Sequence, residues 1–216
     1  MINNKTFLAI IPARGGSKRL PKKNILDLAG KPLISWSIKA AIKSKYIDKV
    51  MVTTDSDEIM EMAQKYGAEV PFKRPDYLAT DMAIRPDVIK HTIDFYQNEN
   101  QEKFDYIIFL QPTSPLRNET HIDNAIEYMF EKNADAIVSV CEVEHPVQWS
   151  GLLPDNKDMS DFLDDLDIKS RSQDLPIYHR LNGAIFICDS HKFMESGSMF
   201  LKENIFAYVM PQNVSI

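Results

Sequence analysis

A chain of 216 residues, 44% hydrophobic and 26% charged, is long enough for one sizeable globular core. Its formal charge of −6 excludes general affinity for nucleic acid, because that binding depends on neutralising many phosphates with Lys and Arg. Cys141 and Cys188 lack CxxC or His-spaced patterning and read as buried thiols rather than as a disulfide or zinc site, while no run approaches the ~20 apolar residues of a membrane span.

The first element is Phe7 to Ile11, a strand of β-branched and aromatic residues. It is followed by the loop "PARGGSKRLPKKN", Pro12 to Asn24, with Gly15, Gly16 and the cations Arg14, Lys18, Arg19, Lys22 and Lys23. Pro32 opens a helix carrying Ile34, Ile38 and Ala41. A strand over Val50 to Thr53 precedes a helix marked by Ile59, Met62, Ala63 and Tyr66, which Gly67 ends as a C-cap. Ile89, Ile93 and Tyr96 mark the next helix, and Tyr106 to Leu110 the next strand. A helix with Ile122, Ala125, Ile126 and Met129, then strands Ala136 to Val140 and Gly183 to Ile187, complete the series. Such alternation specifies an α/β fold, a Rossmann-like, mostly parallel sheet with helices on both faces.

Between residues 141 and 182 the pattern breaks. This segment contains "EHPVQW" and the Asp-rich "DNKDMSDFLDDLD", with Pro146, Pro154 and Pro176. It reads as a small lobe or arm on a single domain spanning 1–216. The apolar run near Met1 is too short for a signal peptide's h-region and is followed at once by charge, so a cytoplasmic location is expected.

The loop after the first strand carries the chemistry. In an open parallel sheet, ligands bind beyond the C-terminal ends of the strands. Gly15 and Gly16 allow tight or left-handed backbone and let main-chain N–H groups approach phosphate oxygens, and the cations supply charge for a triphosphate. Neither GxxxxGK[ST] nor GxGxxG is present, so an ATPase cradle and a dinucleotide fold are both unsupported.

"IIPARGGSKRLPKKN" resembles the nucleotide-binding signature of the acylneuraminate cytidylyltransferase (CMP-sialic acid synthetase) family. The resemblance continues in order through "VTTDS", "RPDYLATD", "LQPTSPLR", "EHP", "RSQDLP" and "RLNGAIFI". It implies a nucleotidyltransferase that joins CTP to a nine-carbon α-keto acid sugar of the sialic, legionaminic or pseudaminic type, releasing pyrophosphate with Mg²⁺ as cofactor. By family likeness Arg14 and Lys23 are catalytic, and Gly15, Gly16, Ser17, Lys18, Asn24 and Arg74 join them in holding the nucleotide. Gln111, Arg171, Arg180 and Asn182 match sugar-contacting positions, partly delivered across a homodimer by the arm. Arg19, where many sialic acid enzymes carry Gly, resembles members acting on legionaminic or pseudaminic acids.

Two departures from the family follow. After "RPDYLATD" members carry small hydroxyl residues near the base, whereas this chain reads "MAIRPD" with Arg85 and Pro86, so no cytosine contact is expected there. Members also continue past the position of Ile216 into an Asp-Ile-Asp segment that binds the metal, so the metal ligands are left unassigned. Two other readings stand beside the first: a module that binds CTP or a CMP-sugar with little turnover, and a synthetase for an eight-carbon keto acid. His145 reads as a turn residue beside Pro146, Asp155 to Asp167 as a solvated run lacking the glycine and closing Glu of a calcium loop, and Trp36 and Trp149 as packing anchors.

Overall fold

The computed structural model describes residues 2–164, 166 and 170–215. Strand β1 (Phe7–Pro12) is central because both its faces are apolar: Phe7, Ala9 and Ile11 point to one side, Leu8 and Ile10 to the other, and all five are buried. A small ribbon, β2 (Asp27–Leu28) with β3 (Lys31–Pro32), leads into α1 (Leu33–Lys43). The chain continues through β4 (Lys49–Thr53), α2 (Asp57–Lys65), α3 (Arg85–Asn98), β5 (Tyr106–Phe109), α4 (Glu119–Glu131), β6 (Ala136–Glu142), α5 (Ser160–Asp164), β7 (His179–Asp189), α6 (Ser190–Ser196) and β8 (Ile205–Val209).

Among the described residues, six strands form one sheet in the order β4-β1-β5-β7-β6-β8. The pairs β1/β4, β1/β5 and β6/β8 are parallel, and β7 runs antiparallel to both β5 and β6. Core residues of α1, α2 and α4 pack with Phe7, Ala9 and Ile11, while those of α3 and Phe193 of α6 pack with Leu8 and Ile10 on the opposite face. The helices therefore cover both faces, as the alternating pattern requires. The helical stripes read from the sequence are buried at Ile34, Ile38 and Ala41; Ile59 and Ala63; Ile89, Ile93 and Tyr96; and Ile122, Ala125, Ile126 and Met129, while Met62 and Tyr66 of the second stripe are partly buried against the core.

The differences from the sequence reading lie at the right-hand end of this sheet. Cys141 and Glu142 still belong to β6, and His179 to Asn182 already belong to β7, so the excursion itself occupies 143–178. β8, not anticipated above, is a partly exposed strand at the sheet's edge, where only one neighbour holds it. Gly67 stands just past α2 with φ +94°, a left-handed conformation that favours glycine at that position. Both cysteines are free and buried, and burial pushes the Cys188 thiol up to about 12. Trp36 donates from its indole to Leu28 O at 3.0 Å, in keeping with a packing role, and Trp149 sits in the arm with 39% of its surface exposed.

This topology sets the position of the site. From β1 the chain crosses through α1 on one face to β4, then through α3 on the other face to β5 on the far side of β1. The order reverses beside β1, and the crevice this opens lies beyond the C-terminal ends of β1, β4 and β5. Because β7 is antiparallel, its N-terminal residues reach the same edge.

Candidate active site

A cleft of about 370 Å³ occupies this switch point, lined by residues that include Arg14, Lys23, Asn24, Arg74, Arg85 and Gln111. Five of the residues singled out in the sequence thus come together from three separated segments. The loop after β1 is closed upon itself: Asn24 is buried, and its Nδ2 donates to Arg14 O at 3.1 Å. No long helix begins on this loop, since Lys23–Ile25 is a single 3-10 turn and the ribbon intervenes before α1. A phosphate here would meet side chains and loop amides rather than the first turn of α1.

Of the tight or left-handed backbone expected at Gly15 and Gly16, the structure has the tight form. Neither has positive φ. The Gly15 N–H donates to Asp55 Oδ1 at 2.9 Å, and a Cβ there would stand 3.0 Å from that of Ser56, so Gly15 allows close approach of the loop to the segment after β4. Gly16 faces open space, and the Ser17 N–H closes a tight turn by donating to Gly15 O at 2.9 Å.

The cations of the loop divide by their partners. Arg14 pairs with Asp81 Oδ1 at 2.9 Å and donates to Thr80 O at 3.3 Å, and Lys18 pairs with the other oxygen of Asp81. Lys18 and Arg14 hold the Asp81 carboxyl below the usual carboxylate range. Lys22 turns away to Glu58, at 2.8 and 2.9 Å, while Arg19 is exposed and does not line the cleft. Lys23 is half-buried in the cleft wall, and among the described residues its ammonium has no hydrogen-bond or ion-pair partner.

Arg74 is buried, with Nε donating to Thr53 Oγ1 at 3.0 Å and a terminal nitrogen to Thr53 O. Burial pulls its guanidinium down to about 10, against the opposing pull of Asp55. It fastens the Arg74–Asp81 segment to the end of β4 while one side lines the cleft. The opposite wall holds Gln111, whose Oε1 would lie 3.2 Å from a Cβ at Gly183, where φ is +72°, so the glycine makes room for the amide.

Three predicted sugar contacts do not line this cleft. Arg171 lies exposed in the arm. Arg180 pairs with Glu144 and donates to Ser215 O at 3.3 Å. Asn182 accepts from Ser139 Oγ at 2.6 Å and from Ala184 N at 3.1 Å, and donates to Ser215 Oγ at 3.0 Å. The sequence reading missed Arg117, which is fully buried and donates to Ala184 O at 2.8 Å, Gln111 O at 3.2 Å and Ser37 Oγ at 2.6 Å. Burial without an acid partner pulls it down to about 9. By joining α1, β7 and the loop after β5 it fixes the backbone that presents Gln111; its place in "LQPTSPLR" is the only sequence signal for this role.

A six-stranded, mainly parallel sheet with helices on both faces and a cationic cleft at its switch point is a Rossmann-like fold, and the family model and relatives that match it make the chain a nucleotidyltransferase. Residues 8–181 match the cytidylyltransferase family model. A pseudaminic acid cytidylyltransferase of Campylobacter jejuni is 39% identical over 96% of this chain and 88% of its own length. A CMP-N,N'-diacetyllegionaminic acid synthase of Legionella pneumophila is 39% identical over 90% of this chain and 82% of its own length. Among solved structures, a CMP:2-keto-3-deoxy-manno-octonic acid synthetase complexed with CTP shares the fold, with a TM-score of 0.66 at 17% identity over 95% of this chain and 90% of that one. The chain belongs to the cytidylyltransferase family.

Proposed function

We propose that this protein joins CTP to a nine-carbon α-keto acid sugar of the pseudaminic or legionaminic type. The anomeric oxygen forms a bond to the α-phosphorus, the bond to the bridging oxygen of pyrophosphate breaks, and the hydroxyl proton passes to solvent. The observation that carries this reading is the convergence of Arg14, Lys23, Asn24, Arg74 and Gln111 on one cleft at the switch point. The names of the relatives favour nine-carbon acids over the eight-carbon alternative, whose named example shares the fold at 17% identity.

Catalysis of this type rests on positioning and charge neutralisation. Lys23, without an acid partner among the described residues, meets charge that develops at the reacting phosphate. Arg14 stays tethered by Asp81 until a triphosphate competes for it. Asn24 keeps the two ends of the loop together, and Gln111 offers donor and acceptor to hydroxyl or amide groups of the sugar.

Among the described residues no three His, Cys, Asp or Glu side chains gather to hold a metal, and Asp81 in the cleft already serves Arg14 and Lys18. Mg²⁺ enters the reading with the triphosphate, whose charge it neutralises, since the ion is often bound by one or two carboxylates plus substrate phosphates.

The arm supports a homodimer, because Leu152 is 97% exposed and Ile177 68% exposed on a segment without a core of its own. Arg171, which does not line the switch-point cleft of its own chain, is then available to a partner.

The test is pyrophosphate release from CTP, with Mg²⁺ and with chelator, across pseudaminic, legionaminic, sialic and eight-carbon keto acids. Release with one nine-carbon acid is expected. Release only with the eight-carbon acid, or CTP binding without release from any acid, overturns the reading.

A further inference from the structure

Lys23 and Arg85 line the cleft without an acid partner among the described residues, whereas Arg14 is held by Asp81 and Arg74 by Thr53. They enter from different elements, Lys23 from the turn after β1 and Arg85 from the first position of α3. The Arg85 guanidinium carbon lies 4.4 Å from the ring centroid of Phe186 and 5.2 Å from that of Phe109. These two residues are register partners on β7 and β5, with their rings edge to face at 6.4 Å. Stacking on aromatic faces fixes the plane of a guanidinium and leaves its N–H edge free to donate.

That edge has no protein acceptor among the described residues. Arg85 makes no hydrogen bond among the described residues, and burial, uncompensated by any carboxylate, pulls it below its ordinary range. A half-desolvated cation of this kind is stabilised when an anion enters the cleft. The proposed reaction brings two anions, a triphosphate and the carboxylate of the α-keto acid. The loop after β1 already faces the first with Arg14, Lys18 and Lys23. Arg85 enters from α3 rather than from that loop, rests on the β5–β7 aromatic pair, and shares the cleft with Gln111, which follows Phe109 by two residues.

We propose that Arg85 receives the carboxylate of the sugar acid and selects for it, an assignment that rests on the reaction proposed above. The planar fork suits bidentate capture of a carboxylate, and contact with the Phe186 ring, backed by Phe109 set edge to face against it, holds the guanidinium in place.

The experiment pairs the accepted sugar acid with its neutral C1 carboxamide, and wild type with Arg85→Gln, reading KM, kcat and the Kd for CTP. Wild type is expected to lose roughly 10- to 100-fold in kcat/KM on the carboxamide, the range for a charged hydrogen bond. Arg85→Gln is expected to raise the KM for the acid by a similar factor and to accept acid and amide almost equally. Its CTP Kd should remain within about twofold of wild type. A variant that still prefers the acid as strongly as wild type overturns the assignment, and so does a CTP Kd weakened as much as the sugar KM, which would place Arg85 on the triphosphate. If the variant does not fold, arginine labelling of the wild-type chain, read by peptide mass, decides: protection of Arg85 by the sugar acid supports the assignment, and protection by CTP alone overturns it. Wild-type silence on every acid sinks the reaction itself, whereas an active wild type with an undiminished acid preference in the variant sinks only the role of Arg85.

Discussion

The loop from Ala13 to Asn24 and the rim formed by His179–Asn182 with Met210–Ser215 flank the same sheet edge, yet they hold their polar groups differently. On the loop, cations meet acids that are themselves exposed: Arg14 and Lys18 share Asp81, and Lys22 meets Glu58. Exposed pairs of this kind are worth little and exchange readily for a stronger anion. On the other rim, Asn182 joins Ser139, Ala184 and Ser215, and Arg180 joins Glu144 and Ser215. Those contacts bind the residues after β8 to β6 and β7. The Arg180–Glu144 pair is as exposed as those of the loop, but the Asn182 network is anchored on the buried Ser139, so the first rim is built to yield to a polyanion and the second, through Asn182, to stay in place.

The largest test of this contrast is Lys23→Ala. With no partner to lose among the described residues, the variant should melt near wild type while turnover falls at least ~100-fold, the loss typical of a transition-state electrostatic contact. Thermal unfolding and pyrophosphate release together check it. Near-normal turnover would remove Lys23 from the chemistry and leave the loop a binding surface only.

Asn182→Ala probes the fixed rim. The substitution leaves the buried Ser139 hydroxyl and the Ser215 hydroxyl without a shared partner, so stability should fall by about 1–3 kcal/mol. For a chain of this size each 1 kcal/mol lowers the melting temperature by roughly 2–4 °C. An unchanged melting temperature with a raised KM for the sugar would instead return Asn182 to the substrate-binding role that family likeness gives it.

The contrast also explains what the sequence could and could not disclose. The helical stripes and the apolar β1 were readable because core burial follows a period, and residues such as Ile34 and Ile38 are needed wherever the helix packs. The loop after β1 was readable because five cations beside two glycines have few structural uses. Pairings across the chain were not readable. Nothing local to Asp81 indicates that it holds both Arg14 and Lys18, and nothing local to Thr53 shows that it fastens Arg74, since each contact depends on how β4 and the segment after it meet. The same holds for β8: "IFAYV" has strand-like residues, but its neighbour β6 is about 70 positions away. Arg85 stood out in the sequence only as a departure from family pattern, and its aromatic seat exists only once β5 and β7 pair.

The smallest expected effect, and the sharpest test of a yielding rim, is Asp81→Asn. In wild type Asp81 competes with the triphosphate for Arg14 and Lys18, so its neutral replacement should tighten CTP binding, by no more than about fivefold because exposed pairs are worth little. Raising the salt should shrink the gain, because both the ion pairs and the phosphate contacts are screened. The folded-state pKa of Asp81 is depressed, so its ion pairs are fully present above the ordinary carboxylate value and are lost as pH falls through the lowered one. The Kd difference between wild type and variant should therefore hold constant from about pH 5 to 8, well above the carboxylate range. Titration calorimetry at two salt concentrations and at several pH values from about 5 to 8 reads all three features. Weaker CTP binding in Asp81→Asn would mean that the carboxylate serves the nucleotide directly, and that the first rim is as fixed in its purpose as the second.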